Sequence, residues 1–231
     1  SKFVHQSLPE NIPKSKKTLV LNPFNTEEIY EKEESRAWIN SLHNIPEKDI
    51  LFGYIGRLVD WKNVDFLIKC FAKYIRKRNF NLHLIIVGSG NNEYVNTLKE
   101  LVDELMANDT ITFAGFNSEP SRVISAFDLM IAPSNHEPFG RTLVEAMIQK
   151  TPVLAAYGGG HSEIINAGVT GKLYQHNDVD DFINQCDNYL NNSSSKHRII
   201  NKAYDTASLK YSSYSHSRDI VKIYKQLSFI A

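Results

Sequence analysis

The chain has 231 residues, 42% hydrophobic and 23% charged, an ordinary globular composition with room for one good-sized α/β domain or a smaller domain with an appendage. Lys plus Arg equals Asp plus Glu at 26 each, so no strong overall field draws the chain to nucleic acid or a membrane surface. No apolar run has the length of a membrane span, and the first residues lack a signal-peptide core.

In chain order, residues 1–17 are polar, with Pro9, Pro13 and a basic patch of Lys14, Lys16 and Lys17, and read as a linker or remnant. With no initiating Met, Ser1 reads as the start of an excised piece. Short β-branched runs then alternate with longer amphipathic segments. The runs are 19–21, 51–55, 82–87, 111–113, 129–132, 152–155 and 172–174; the clearest helical patterns are 64–78, 94–106, 121–126, 142–149 and 179–190. This alternation over 18–190 predicts a parallel sheet with helices on both faces. Leu84, Ile85, Ile86 and Val87 form an unbroken apolar run, as in a strand buried on both sides. Residues 191–195 (Asn-Asn-Ser-Ser-Ser) predict a loop, and the rest of 191–231 a helical tail ending near Leu227. Cys70 and Cys186 sit inside apolar helical patterns as small buried hydrophobes of a reducing compartment, and no Cys/His spacing suits zinc.

Ligands of an open parallel sheet bind outside the carboxyl ends of its strands, so the residues after each run are the candidate site. They are Gly56-Arg57-Leu58 with Lys62, then Gly88-Ser89-Gly90, Gly115-Phe116-Asn117, the stretch from Pro133 to Gly140, and Gly158 to Glu163. The G-x-G turn resembles a dinucleotide fingerprint, but Glu93 stands where its third glycine belongs and would repel a pyrophosphate. The turn serves close approach of backbone to a ligand or a tight strand exit. Arg57 and Lys62 read either as solvated surface charges or as a clamp for a diphosphate; the glycine-rich setting favours the clamp. Gly140 admits close backbone approach, and the N–H groups after it open a helix whose positive end can hold phosphate. Glu137 and Glu145 around such a site are either helix-dipole acids or acceptors for sugar and ribose hydroxyls.

These residues resemble the large retaining glycosyltransferase group called group 1 or family 4, over roughly 50–185. The resemblance rests on G-R-L-x-x-x-K (Gly56 to Lys62), V-G-S-G (Val87 to Gly90), Ile111 to Gly115, E-x7-E (Glu137 to Glu145), Pro152-Val153 and G-G-x-x-E (Gly159 to Glu163), with Asp128-Leu129 and Val169-Thr170-Gly171 extending it. It implies an α/β fold class: a Rossmann-like parallel sheet, the C-terminal domain of a GT-B fold, with the terminal helical tail packed on a missing N-terminal acceptor domain. It implies that Arg57 and Lys62 bind the donor diphosphate and support leaving-group charge, and that Glu137 contacts the transferred sugar near its reacting face. Glu145 holds the ribose hydroxyls, and Gly115, Phe116 and Asn117 lie along the base. Backbone around Phe139, Gly140, Arg141, Thr142 and Leu143 meets phosphate and sugar; Gly56, Gly88, Gly90, Gly159, Gly160, His161 and Glu163 complete the donor site.

No metal and no cofactor beyond a nucleoside-diphosphate sugar is expected, and no nucleic acid. The acceptor is a glycan or lipid-linked sugar, the location the cytoplasm or, for the whole protein, the inner face of its membrane. Without the partner domain, Ile220, Val221, Ile223, Tyr224 and Leu227 are expected to be exposed or repacked. Asn63 stands where glycine commonly follows the Lys, and Asn tolerates the left-handed turn. His161 departs from an often apolar position, and either touches the sugar or covers the glycine turn. Asn22-Pro23-Phe24-Asn25 resembles the domain junction of members that build bacterial surface polysaccharides. The alternatives are a non-catalytic nucleotide-sugar-binding module and a GT-B sugar-nucleotide epimerase.

Overall fold

The computed structural model describes residues 1–13, 17–77 and 81–228. Among them, six strands form one sheet: β1 (Ile50–Ile55), β2 (Leu82–Val87), β3 (Ile111–Gly115), β4 (Leu129–Ala132), β5 (Val153–Ala156) and β6 (Lys172–Tyr174). They pair in the order β3-β2-β1-β4-β5-β6, every pair parallel. Side chains alternate across the sheet, and helices close both faces. Leu84 and Ile86 belong to one core, Ile85 and Val87 to the other, none more than 1% exposed.

The first core lies under α3 (Val64–Lys77), α4 (Asn92–Glu104) and α8 (Val179–Asn191), where Phe52, Phe71, Tyr174 and Phe182 interlock. The second lies under α2 (Lys32–His43), α5 (Pro120–Ser125), α6 (Arg141–Ile148) and α9 (Ser193–Lys210), around Ile39, Val123, Val144 and Ala207. Helix α1 (Lys2–Gln6) precedes them, α7 (His161–Ile164) follows β5, and α10 (Ser213–Ser228) ends the described chain. Asn91 and Asp178 cap α4 and α8 by accepting backbone N–H bonds of the first turn. No helix among the described residues is long and apolar enough to cross a membrane.

Two expectations are corrected. Residues 19–21 are not a strand: the segment runs beside the junction of α9 and α10, where the Leu21 carbonyl accepts from His216 Nδ1 at 2.7 Å and Phe24 N–H donates to Tyr211 at 2.9 Å. The loop over 191–195 shrinks to Asn192, because α9 starts at Ser193. The stretch expected to be a linker or remnant contains α1; Lys14 and Lys16 lie outside the described residues, as does Arg78 at the expected end of α3. Within the tail, Ala203 and Ala207 of α9 are buried against the second core. On α10, Ile220 and Ile223 are half-buried, while Val221, Tyr224 and Leu227 are exposed.

Asp128, just before β4, ties α2 to the sheet. Its carboxylate accepts the Leu51 N–H at 2.8 Å and pairs with Arg36 at 2.8 Å and Lys32 at 3.1 Å. Burial opposes the charge, but Lys32, the Leu51 N–H and Arg36 outweigh it and hold the carboxyl below its ordinary range. A carboxylate with a depressed folded pKa stabilises above its unfolded pKa, and that stabilisation is lost as pH falls through the folded value. Asp128→Asn is expected to lower stability by about 2 kcal/mol at neutral pH in urea denaturation. The gap from the parent should narrow below pH ~4 as the parent loses the same charge.

Candidate functional site

β1 lies between β2 and β4, and the chain leaves it towards one side and returns on the other. The loops after β1 and β4 therefore part and leave a crevice at the carboxyl edge of the sheet. Around it stand the loops after β2, β3 and β5.

The loop after β1 is held from behind by the loop after β2. Gly56 N–H donates to Val87 at 3.0 Å and Leu58 N–H to Ser89 at 2.8 Å. Gly88 has φ +140°, and a Cβ there would stand 1.8 Å from the Gly56 carbonyl oxygen; one at Gly90 would stand 2.0 Å from that of Leu58. Of the two readings left for this turn, the geometry matches a tight strand exit whose glycines face protein backbone. The Tyr54 hydroxyl donates to the Arg57 carbonyl at 2.8 Å, and burial raises its pKa. A 3-10 turn at Asp60–Lys62 ends on Asn63, left-handed at φ 58° as expected. The Asn63 amide also bonds the Pro133 carbonyl (3.3 Å) and Asn177 Oδ1 (3.1 Å), tying this loop to those after β4 and β6.

The cations differ in their commitments. Arg57 is exposed and, among the described residues, has no carboxylate partner; its guanidinium lies 5.8 Å from the Trp61 ring. The Lys62 ammonium sits 4.4 Å from the same ring and pairs with the Glu137 carboxylate. The Lys62 and Glu137 side chains are only 17% and 12% exposed, so each is the other's main compensation for leaving water.

Gly140, at φ 96°, opens α6. The Leu143 N–H bonds the Gly140 carbonyl at 3.1 Å, whereas those of Arg141 and Thr142 meet no acceptor among the described residues. They are the positive end of the helix. The Phe139 ring turns away from the crevice into a cluster with Phe24 and Tyr211, at 6.2 and 5.8 Å, and anchors the loop. Arg141 lies 3.6 Å from Glu145, whose carboxyl pKa is raised by burial against that cation's pull.

The loop after β5 closes the crevice. Gly160 N–H donates to the Glu137 carbonyl at 2.7 Å, and a Cβ on Gly160 would stand 2.3 Å from the Phe139 carbonyl oxygen. His161 is buried, its Nδ1 3.0 Å from the Ala156 carbonyl. Glu163 is drawn elsewhere: its carboxylate accepts the N–H groups of Lys2, at 2.7 Å, and Phe3 at the start of α1. Phe116 is 76% exposed beside Gly115, at φ 71°.

The edge thus brings together Lys62, Glu137, Gly140, Gly159, Gly160 and His161, with Arg57 alongside through Trp61. Glu163 and the Phe139 ring are not part of that group. Trp61 and Tyr54 escaped the sequence reading, although Trp61 lies inside the Arg57-to-Lys62 spacing. No group of three or more His, Cys, Asp or Glu among the described residues is placed to hold a metal ion. A cleft of about 510 Å³ lies at the opposite edge, lined in part by Lys32 and Arg36, both already paired with Asp128.

Residues 37–206 match the family described as Glycosyl transferases group 1. The chain belongs to this family. An uncharacterized glycosyltransferase of Methanocaldococcus jannaschii is 30% identical over 225 residues, which cover 93% of this chain and 55% of that protein. This group 1 chain also resembles the crystal structure of Anabaena HepE in complex with UDP-glucose: TM-score 0.82, 24% identity, 90% of this chain and 57% of that one. The C-terminal domain of LpcC, a group 1 family protein of Francisella tularensis, gives a TM-score of 0.67 at 21% identity, covering 84% of this chain and 97% of that one. The fold is that of the C-terminal, Rossmann-like domain of a GT-B glycosyltransferase. The chain spans about half the length of the M. jannaschii relative.

The glycine contacts give a paired prediction. A Cβ at Gly88 collides with Gly56, whereas one at Gly115 meets nothing within 4 Å. Gly88→Ala is expected to cost at least ~2 kcal/mol and Gly115→Ala about 1 kcal/mol, by urea denaturation.

Proposed function

We propose that this chain holds the donor of a retaining hexosyltransferase, a nucleoside-diphosphate sugar, while a preceding N-terminal domain holds a glycan or lipid-linked acceptor. The observation that carries the reading is the convergence of an uncommitted Arg57, the Lys62–Glu137 pair and the open N-terminus of α6 on one crevice. In the transfer, the bond from the anomeric carbon to the diphosphate oxygen breaks as one forms to the acceptor's hydroxyl oxygen, whose proton leaves with the diphosphate, and negative charge grows on the leaving oxygen. Arg57 grips two phosphate oxygens, Lys62 adds a point charge, and the Arg141 and Thr142 N–H groups face the same anion. As the diphosphate takes Lys62, Glu137 loses its counter-ion and turns to the hydroxyls of the transferred sugar. Glu145 takes the ribose, and Gly115, Phe116 and Asn117 the base. The sugar keeps its anomeric configuration. The cations and the helix end do the work a metal would do, so the reading includes none.

The UDP-glucose bound by HepE supports this donor class. The exposed Val221, Tyr224 and Leu227 support a role for α10 in packing on the acceptor domain. The Asn22-to-Asn25 phrase points to surface-polysaccharide assembly, in the cytoplasm or at the inner face of the membrane.

Calorimetry with UDP, GDP, ADP and their glucose conjugates tests the reading: one base is expected to bind, and Arg57→Ala to weaken it by about tenfold to a hundredfold. A folded chain that binds none of them contradicts it. Glu137→Gln carries a distinctive sign. It frees Lys62, so the bare nucleoside diphosphate should bind about threefold to tenfold tighter, while the extra affinity conferred by the sugar should shrink.

A further inference from the structure

His161 is an ionisable ring placed where little water reaches. It opens α7 directly after three glycines and is 1% exposed. Its Nδ1 stands 3.0 Å from the Ala156 carbonyl, which can only accept, so Nδ1 carries a proton. Burial lowers the pKa of the ring, the bond to Ala156 and the Glu137 charge raise it, and Lys62 lowers it again; the net shift is downward. The neutral ring therefore has a fixed tautomer, with a bare lone pair at Nε2.

That lone pair has no partner among the described residues, yet Nε2 is not among the sealed polar atoms. Cδ2, the carbon bonded to Nε2, lies against Gly140, where a Cβ would come within 3.2 Å of it. The bond from Gly160 N–H to the Glu137 carbonyl brings the start of α7 up to the same loop. Nε2 thus opens towards the crevice beside Glu137 and Lys62. A nearly buried acceptor without a donor is costly and is satisfied when a ligand supplies one. A phosphate oxygen carries no proton at neutral pH and is repelled by the lone pair. A hydroxyl fits it.

Resting on the donor reading above, we infer that His161 is a specificity-determining residue that accepts a hydrogen bond at Nε2 from one hydroxyl of the transferred sugar. The site then favours sugars with a free hydroxyl at that position and disfavours those that lack it. The choice of sugar is partly built into this chain.

The test is calorimetry on this chain with UDP, GDP and ADP, the glucose conjugate of whichever base binds, and its 2-, 3-, 4- and 6-deoxy analogues. The parent chain should bind one deoxy analogue about tenfold more weakly than the glucose conjugate. His161→Asn keeps an amide donor at the position of Nδ1 and deletes the acceptor at Nε2. It should leave the bare diphosphate within twofold, weaken the glucose conjugate about tenfold, and erase the discrimination against that one analogue. His161→Gln, which places an oxygen at the position of Nε2, should restore part of it. Equal binding of all deoxy analogues by the parent overturns the inference, as does an equal loss of diphosphate and sugar conjugate in His161→Asn. If the parent binds the bare diphosphate but shows neither effect, His161 alone is refuted; if it binds no nucleotide, the donor reading falls and takes this inference with it.

Discussion

The parallel pairing of β1 with β2 on one side and β4 on the other is the constraint on which everything else depends. Parallel pairing sends all six strands out at one edge of the sheet, and the reversal of direction at β1 splits the loops there. Residues far apart in sequence, from Gly56 to His161, then face a common space. The opposite edge is locked by Asp128 with Arg36 and Lys32, so the two edges have different tasks. One fixes helix to sheet with paired charge. The other keeps a guanidinium and a helix end that meet no counter-charge among the described residues.

At that second edge, glycine is less a hinge than an absence of bulk. Gly88 and Gly160 remove the Cβ atoms that would hold one loop off the next, and the loops come close enough to bond through backbone. Side chains then occupy defined places: Trp61 lies against both Arg57 and Lys62, Lys62 reaches Glu137, and the His161 ring is fixed by Ala156. The Lys62–Glu137 pair is the most consequential of these contacts. With both side chains largely out of water, a ligand that takes one partner must also provide for the other. A nucleoside-diphosphate sugar meets both requirements in one molecule, an anion for the lysine and hydroxyls for the carboxylate.

Much of this architecture was legible in the sequence, because strands buried on both faces leave continuous apolar runs. β2, β4 and β6 have the expected limits, and β1, β3 and β5 differ from them by no more than two residues. Helix α2 was not read. It buries Ser35, Ile39 and Asn40, a narrow stripe with two polar members, so few apolar residues mark its buried face. Residues 19–21 look like a strand by composition, but a strand also needs an edge to pair with, and this segment meets the α9–α10 junction instead. The Asn-Ser run after α8 signals a loop and a helix start alike, and here Asn192 precedes a helix that starts on serine. At the site, the glycines and charges were visible as positions along the chain, whereas their pairing was not. Lys62 and Glu137 are 75 residues apart, the direction of Phe139 depends on Phe24 and Tyr211, and the commitment of Glu163 depends on α1.

The central claim, that the carboxyl edge around Arg57, Lys62 and Glu137 is a nucleotide-diphosphate site, is tested most directly by mapping where a nucleotide binds. Backbone amide resonances of the isotopically labelled chain would be followed during titration with UDP, GDP or ADP. The account predicts that one of them shifts the amides of Gly56 to Asn63, Gly115 to Asn117 and Gly140 to Leu143 together, with saturation at a single affinity. Shifts confined to the opposite cleft around Lys32, Arg36 and Lys196, or none at this edge with any nucleotide, would contradict it.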